Sequence, residues 1–138
     1  MIHGERTRLR LHHLALRTAD LERSRRFYGE LIGLPEVRRN HDPEGELRSI
    51  WLEAGDALLM LELRLTGEGP TDGSAHLLAF AVDDLGPWRA RLAEAAIPLD
   101  GETEHTLYFR DPDQHRVAVS THPGGRRLQS PGPRADGG

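Results

Sequence analysis

The side chains able to do chemistry in this chain are histidines, carboxylates and arginines; there is no cysteine. That excludes disulfides, thiolate zinc sites and cysteine nucleophiles together. No Ser-His-Asp arrangement is recognisable and no pair of catalytic carboxylates stands out. What remains is a short set of residues whose placement needs a reason. Glu62 lies in "LLMLELRLT", between Leu61 and Leu63. A carboxylate there is costly if buried unpaired, and pairing with a nearby Arg64 is the plain alternative. His13 opens an alternating stretch and shares one face with Leu11, Ala15 and Arg17, while Leu14, Leu16 and its neighbour His12 point the other way. "DPDQHRVAVS" (111–120) is a turn followed by a strand. Pro112 fixes φ, and the aspartates on either side can bond nearby backbone N–H groups. One face of that strand carries Arg116, Ala118 and Ser120, so an alanine stands where a cavity-facing strand ordinarily carries a reactive group. Arg17, Arg64, Arg110 and Arg116 each offer a fork of donors suited to anionic or oxygen-rich ligands. His105 and His115 fall at turns and read as solvent-exposed. "TGEGPTDGS" is glycine-rich, but Pro70 lacks an N–H and no helix starts there, so it is not a phosphate loop.

The elements that must position these residues come in two copies. "HLALRTADL" (13–21) and "LLAFAVDDL" (77–85) align without a gap at an offset of 64. Each is a strand ending in an aspartate, followed by a helix. After Asp20, an N-cap, Leu21, Phe27, Tyr28, Leu31 and Ile32 form one apolar stripe, and Gly33 suits the stop. After Asp84, Leu85, Trp88, Leu92 and Ala95 or Ala96 repeat it, with Pro87 tolerated in the first turn and Pro98 ending the helix. Three strand-like stretches follow each helix: 36–40, 47–53 and 57–65 in the first half, then a short piece near Leu99, 106–110 and 115–121 in the second. The pattern is βαβββ twice, an α+β arrangement. The organisation it predicts is an N-terminal arm (1–8), a first module (9–65), a linker (66–74), a second module (75–122) and a disordered Gly/Pro-rich tail (123–138).

Bulk properties bound the partners. The formal charge is −4 over 138 residues, which leaves no basic footprint for a nucleic-acid backbone. No apolar run reaches the ~20 residues of a membrane span, and "MIHGERTRLR" has no signal-peptide core. A cytoplasmic protein with no nucleic-acid or membrane partner is the expectation.

The two βαβββ halves, "HHLALRTADLERSRRFYGELIGL" near the start and "YFRDPDQHRVAVS" near the end, resemble the vicinal oxygen chelate superfamily. That group includes glyoxalase I, fosfomycin-resistance transferases, extradiol dioxygenases and bleomycin-resistance proteins. The resemblance implies a cup-shaped, mostly antiparallel eight-stranded sheet with helices outside, a homodimer, and a small-molecule ligand in the cup. For the enzymes it implies one divalent metal (Zn, Ni, Mn or Fe(II)) acting as a Lewis acid on two vicinal oxygens, with no nucleotide or flavin. Carried over residue by residue, it places His13 at the first-strand ligand position and Glu62 at the fourth-strand one. In the second module the corresponding positions are Leu77 and Ala118, which bind nothing. His76 lies one residue early and reaches the same face only through a β-bulge.

Two functional classes follow. One is a metal-dependent lyase, transferase or dioxygenase using His13, Glu62 and His76, with Glu62 as general base if fewer protein ligands are needed. The other is a metal-free protein sequestering a drug or metabolite, walled by Trp51, Met60 and Tyr108, with Arg17 and Arg116 as polar contacts.

Overall fold

The computed structural model describes residues 9–65, 67 and 76–121; the predicted arm, the tail and all but one residue of the linker lie outside them. The chain divides into two compact units between residues 68 and 69. Among the described residues each unit runs β-α-β-β-β: β1 (His13–Arg17), α1 (Leu21–Arg25), β2 (Glu36–His41), β3 (Leu47–Ala54) and β4 (Ala57–Glu62), then β5 (Leu77–Ala81), α2 (Gly86–Glu94), β6 (Gly101–Glu102), β7 (Thr106–Arg110) and β8 (Arg116–Ser120). Each unit builds its own four-stranded mixed sheet, in the orders β1-β4-β3-β2 and β5-β8-β7-β6. The first strand of each runs parallel to the last, and the other pairs are antiparallel. No helix among the described residues is long and apolar enough to cross a membrane.

In the first unit Asp20 caps α1 from an extended conformation, its side chain accepting the Arg23 N–H. The helix does not continue as a single α-helix. It widens into a π-helical turn over Arg26–Leu31, with Ile32 N–H reaching the Phe27 carbonyl and Gly33 N–H the Tyr28 carbonyl. Phe27 and Tyr28 meet edge to face at 4.8 Å, and both are buried. Gly33 then takes a φ of +98°, which a side chain would oppose. Helix α1 packs on β3 and β4. The strand positions that alternate toward that side, Ile50, Leu52, Leu59 and Leu61, are fully or nearly fully buried.

The second unit follows the same logic with less helix. Leu85, not Asp84, occupies the N-cap position of α2 and makes no side-chain cap bond; Asp84 instead accepts the Gly86 N–H from the preceding turn at 3.1 Å. Leu92 is the buried residue of α2. The expected continuation of its stripe fails, because Ala95 and Ala96 are exposed and Ala96 sits past the helix end at φ +59°. Leu107, Phe109, Val117 and Val119 form the fully buried face of this sheet.

Strand limits shift modestly from expectation. β4 stops at Glu62, short of Leu65, and the sixth strand is Gly101–Glu102 rather than a piece at Leu99. The Asp-Pro-Asp turn closes on Asp111, which is buried and accepts the N–H groups of Asp113 and His115, both at 2.8 Å.

Candidate functional site

Opposite the packed face, each sheet carries a second row of side chains, and strand pairing fixes its membership. In the first sheet His13 is level with Leu58, Ala15 with Met60 and Arg17 with Glu62. Across β3, Ser49 faces Glu62 and Trp51 faces Met60; β2 adds Arg38 beside Trp51 and Asn40 beside Ser49. Alternation places all of these on one face.

The row is wired together. The Trp51 Nε1–H donates to Glu62 Oε2 at 3.1 Å, a diagonal contact that an aromatic is long enough to make. Arg38 lies over the Trp51 ring at 5.5 Å and donates from Nε to Asn40 at 2.7 Å, whose amide in turn donates to Ser49 at 2.8 Å. Glu62 is thus placed by an indole, and no ion pair joins it to Arg64. Arg17, although level with Glu62, directs Nη1 to the carbonyl oxygens of Gly67 (2.9 Å) and Leu65 (3.3 Å).

The register separates two residues that the sequence placed together. His13 and Glu62 stand four ladder steps apart, about 13 Å along the strand at the usual rise per residue. The same-face positions next to His13 are Leu58 and Met60. His13 is exposed, and its Nδ1 lies 2.9 Å from that of His12 with the rings edge to face. His12 was expected to point away; its ring instead meets that of its neighbour.

In the second sheet Leu77 is level with Arg116, Ala79 with Ala118 and Ala81 with Ser120, while Tyr108 faces Ala118 and Arg110 faces Arg116. Ladder pairing runs unbroken from Leu77 to Ala81. The bulge that would turn His76 inward was expected at Ala75–Leu77, of which Ala75 lies outside the described residues. Leu77 is 45% exposed, whereas Ala118 is fully buried. Tyr108 carries the Arg116 guanidinium at 4.2 Å from its ring centroid, and Thr106 and Ser120 share a hydroxyl hydrogen bond of 2.8 Å.

Matching the two registers gives a correspondence that the linear repeat did not. The first strands align at an offset of 64 (His13 to Leu77), the last strands at 58 (Leu58 to Arg116). Ala118 therefore corresponds to Met60, and Glu62 to Ser120; Trp51 corresponds to Tyr108. If Ala118 marks a ligand position, its first-sheet counterpart is Met60 and is equally apolar. Among the described residues no group of three or more His, Asp or Glu gathers closely enough to hold a metal ion, so the donors within each sheet do not fit a metal shell.

Comparison with known proteins gives a consistent result. The family model of the Glyoxalase/Bleomycin resistance protein/Dioxygenase superfamily matches residues 10–119. A probable lactoylglutathione lyase of Vibrio parahaemolyticus is 30% identical over 122 residues, covering 80% of this chain and 88% of the relative. A lactoylglutathione lyase of Neisseria meningitidis is 29% identical over 121 residues, covering 79% and 88%. Among solved structures, the trypanothione-dependent glyoxalase I of Leishmania major superposes with a TM-score of 0.68 at 23% identity, covering 88% of this chain and 93% of that one. An antibiotic binding protein from Streptomyces sp. CB03234 superposes with a TM-score of 0.67 at 21% identity, covering 84% and 98%.

Proposed function

The chain belongs to the glyoxalase/bleomycin resistance protein/dioxygenase superfamily, and from that premise we propose that it binds a small oxygen-rich organic molecule, a metabolite or drug, through side chains rather than through a full metal shell. The observation that carries this reading is the correspondence of Met60 with Ala118. Both rows are apolar at their buried centres, with a half-buried aromatic beside each, so they offer stacking and apolar contact where a metal shell would need carboxylates. Trp51, Met60 and Arg17 supply the contacts of the first sheet, and Tyr108 and Arg116 those of the second. The shared fold of an antibiotic binding protein supports the same reading. The protein acts as a cytoplasmic homodimer, a state that light scattering on the purified chain checks directly.

A second reading, a metal-dependent lyase, transferase or dioxygenase, is favoured by relatives named lactoylglutathione lyase and by His13. In it a divalent metal would supply Lewis-acid stabilisation, His13 and His76 are the ligands that the resemblance suggests, and Glu62 would serve as general base. The indole bond leaves one Glu62 carboxylate oxygen for that role. Metal analysis of protein purified without chelator, followed by calorimetric titration with Zn, Ni and Mn, separates the two. Weak binding supports the metal-free protein. Sub-micromolar binding abolished by His13→Ala or His76→Ala establishes the enzyme.

A further inference from the structure

On the second row of the second sheet, Arg116 lies over the Tyr108 ring, its Cζ 4.2 Å from the centroid. Its Nε donates to Asp100 Oδ2 at 2.9 Å, and the same oxygen accepts Arg110 Nε at 3.0 Å. Asp100 is itself fixed by a backbone hydrogen bond to the Tyr108 carbonyl. One carboxylate therefore serves two guanidinium groups, which leaves the cluster one positive charge in excess. Arg110 is further used by the Gln114 carbonyl at 3.1 Å. Among the described residues, neither Nη of Arg116 meets an acceptor, and the Tyr108 hydroxyl has no partner.

The stack exists because the neighbouring edge strand leaves space for it. Gly101 is level with Tyr108, and a methyl added there would sit 3.3 Å from Arg116 Nη2 and 3.7 Å from Tyr108 Cδ2, at a φ of +150° that L side chains rarely adopt. Arg116 is also two residues from Ala118, and level with Leu77. Among the described residues, Arg110 and Arg116 are the cations of this row, and the exposed Leu77 and Ala79 lie alongside.

We propose that Arg116 is the recognition group for the acidic end of the ligand, and that the ligand is a planar organic anion of the aromatic carboxylate class. The free edge of a guanidinium presents parallel N–H donors that match the two oxygens of a carboxylate. The Tyr108 hydroxyl adds a further donor, and the exposed Leu77 and Ala79 leave an apolar surface for a ring. Asp100 holds the fork at the right angle through Nε but also competes electrostatically with the incoming anion. This rests on the ligand-binding reading above and narrows it to a chemical class.

The test is calorimetric titration of the full chain with 2-naphthoate and with its uncharged counterpart 2-naphthamide. Wild type is expected to bind the acid at least about tenfold more tightly than the amide, the scale of one charge-assisted bidentate pair. Arg116→Gln should abolish that preference, weakening naphthoate by about tenfold more than naphthamide. Asp100→Asn, which removes the competing charge, should tighten naphthoate and not naphthamide; a merely structural Asp100 would weaken both. Circular dichroism confirms that each variant is folded, and Gly101→Ala, which crowds Nη2 without touching any charge, provides a second way to lose the preference. Equal binding of acid and amide by wild type overturns the proposal and leaves the ligand-binding reading standing, as does a preference that survives Arg116→Gln. Failure of both probes to bind at millimolar concentration sinks the two together.

Discussion

At the centre of the first sheet stands Met60, with Trp51 beside it and Glu62 two residues on; at the centre of the second stands Ala118, with Tyr108 beside it and Ser120 two residues on. The frame is the same. What differs is how each sheet treats its aromatic. Trp51 carries Arg38 over its ring and is also a donor, to Glu62 at the end of its row. Tyr108 is used as a platform, for Arg116, and its row ends in a guanidinium. The internal repeat has kept an apolar centre with an aromatic beside it, while the side chain two residues past that centre changed from Glu62 to Ser120. Function in this chain is therefore to be sought in the difference between the modules, because what they share is packing.

The largest effect that probes the comparison lies on the packed faces. Leu52 and Phe109 correspond, each one residue beyond its aromatic, and each is fully buried. Phe109→Ala is expected to cost about 3–5 kcal/mol and Leu52→Ala about 2–5 kcal/mol, with Phe109 the costlier because α2 contributes only Leu92 to backing its sheet. Urea denaturation of both variants checks the order; a milder Phe109→Ala would break the view that the second sheet depends on its own aromatic.

Next is the correspondence of Met60 with Ala118. Met60→Glu and Ala118→Glu should each tighten Ni, Zn or Mn binding by about tenfold or more, ~1.4 kcal/mol per tenfold, whereas Glu62→Gln should leave it unchanged. The opposite pattern in calorimetry would show that Glu62, and not Met60, is the counterpart of Ala118.

A smaller contrast separates the helix starts. Asp20→Ala removes a true cap and should cost about 1 kcal/mol. Asp84→Ala, whose carboxylate bonds only within the preceding turn, should cost a few tenths by thermal unfolding.

The smallest effect is a pH dependence. Arg39 holds the Glu22 and Glu36 carboxyls below the ordinary value of 4.5. Their contribution is therefore complete above that value and lost as pH falls through the lowered folded values. These groups are a third or more exposed, so the sum is a fraction of a kcal/mol at most. Arg39→Gln should flatten the acid limb of the thermal midpoint between about pH 5 and 3. Asp100 is lowered in the same sense, chiefly by its hydrogen bond from Arg116, so Arg116→Gln should flatten that limb too.

Much of the fold was legible because it is written in local patterns. Alternation marked the strands, Asp20 marked a cap, and the gapless match of 13–21 with 77–85 exposed the repeat. The site was less legible for a definite reason. The stretch from His13 to its partner Leu58 is six residues longer than that from Leu77 to Arg116, so one offset cannot align both ends of a module. The resemblance paired Glu62 with Ala118, and only the ladder pairs Met60 with it. The Asp100–Arg116–Tyr108 cluster was invisible for a similar reason. Arg116 and Tyr108 could each be named as contacts, but Asp100 and Gly101 acquire meaning only once a two-residue edge strand is laid beside β7.

The π-helical turn at Arg26–Leu31 has a bearing on how chains of this kind can be compared. Closing with five-residue steps, it stores one residue more than an α-helical turn doing the same job. A lineage that dropped a residue here would rewind the segment as ordinary α-helix and still reach Gly33, with β1 and β2 undisturbed. A one-residue gap in this helix, when two such sequences are laid side by side, thus carries no news about the sheet, whereas a gap between Tyr108 and Ala118 would rewrite it.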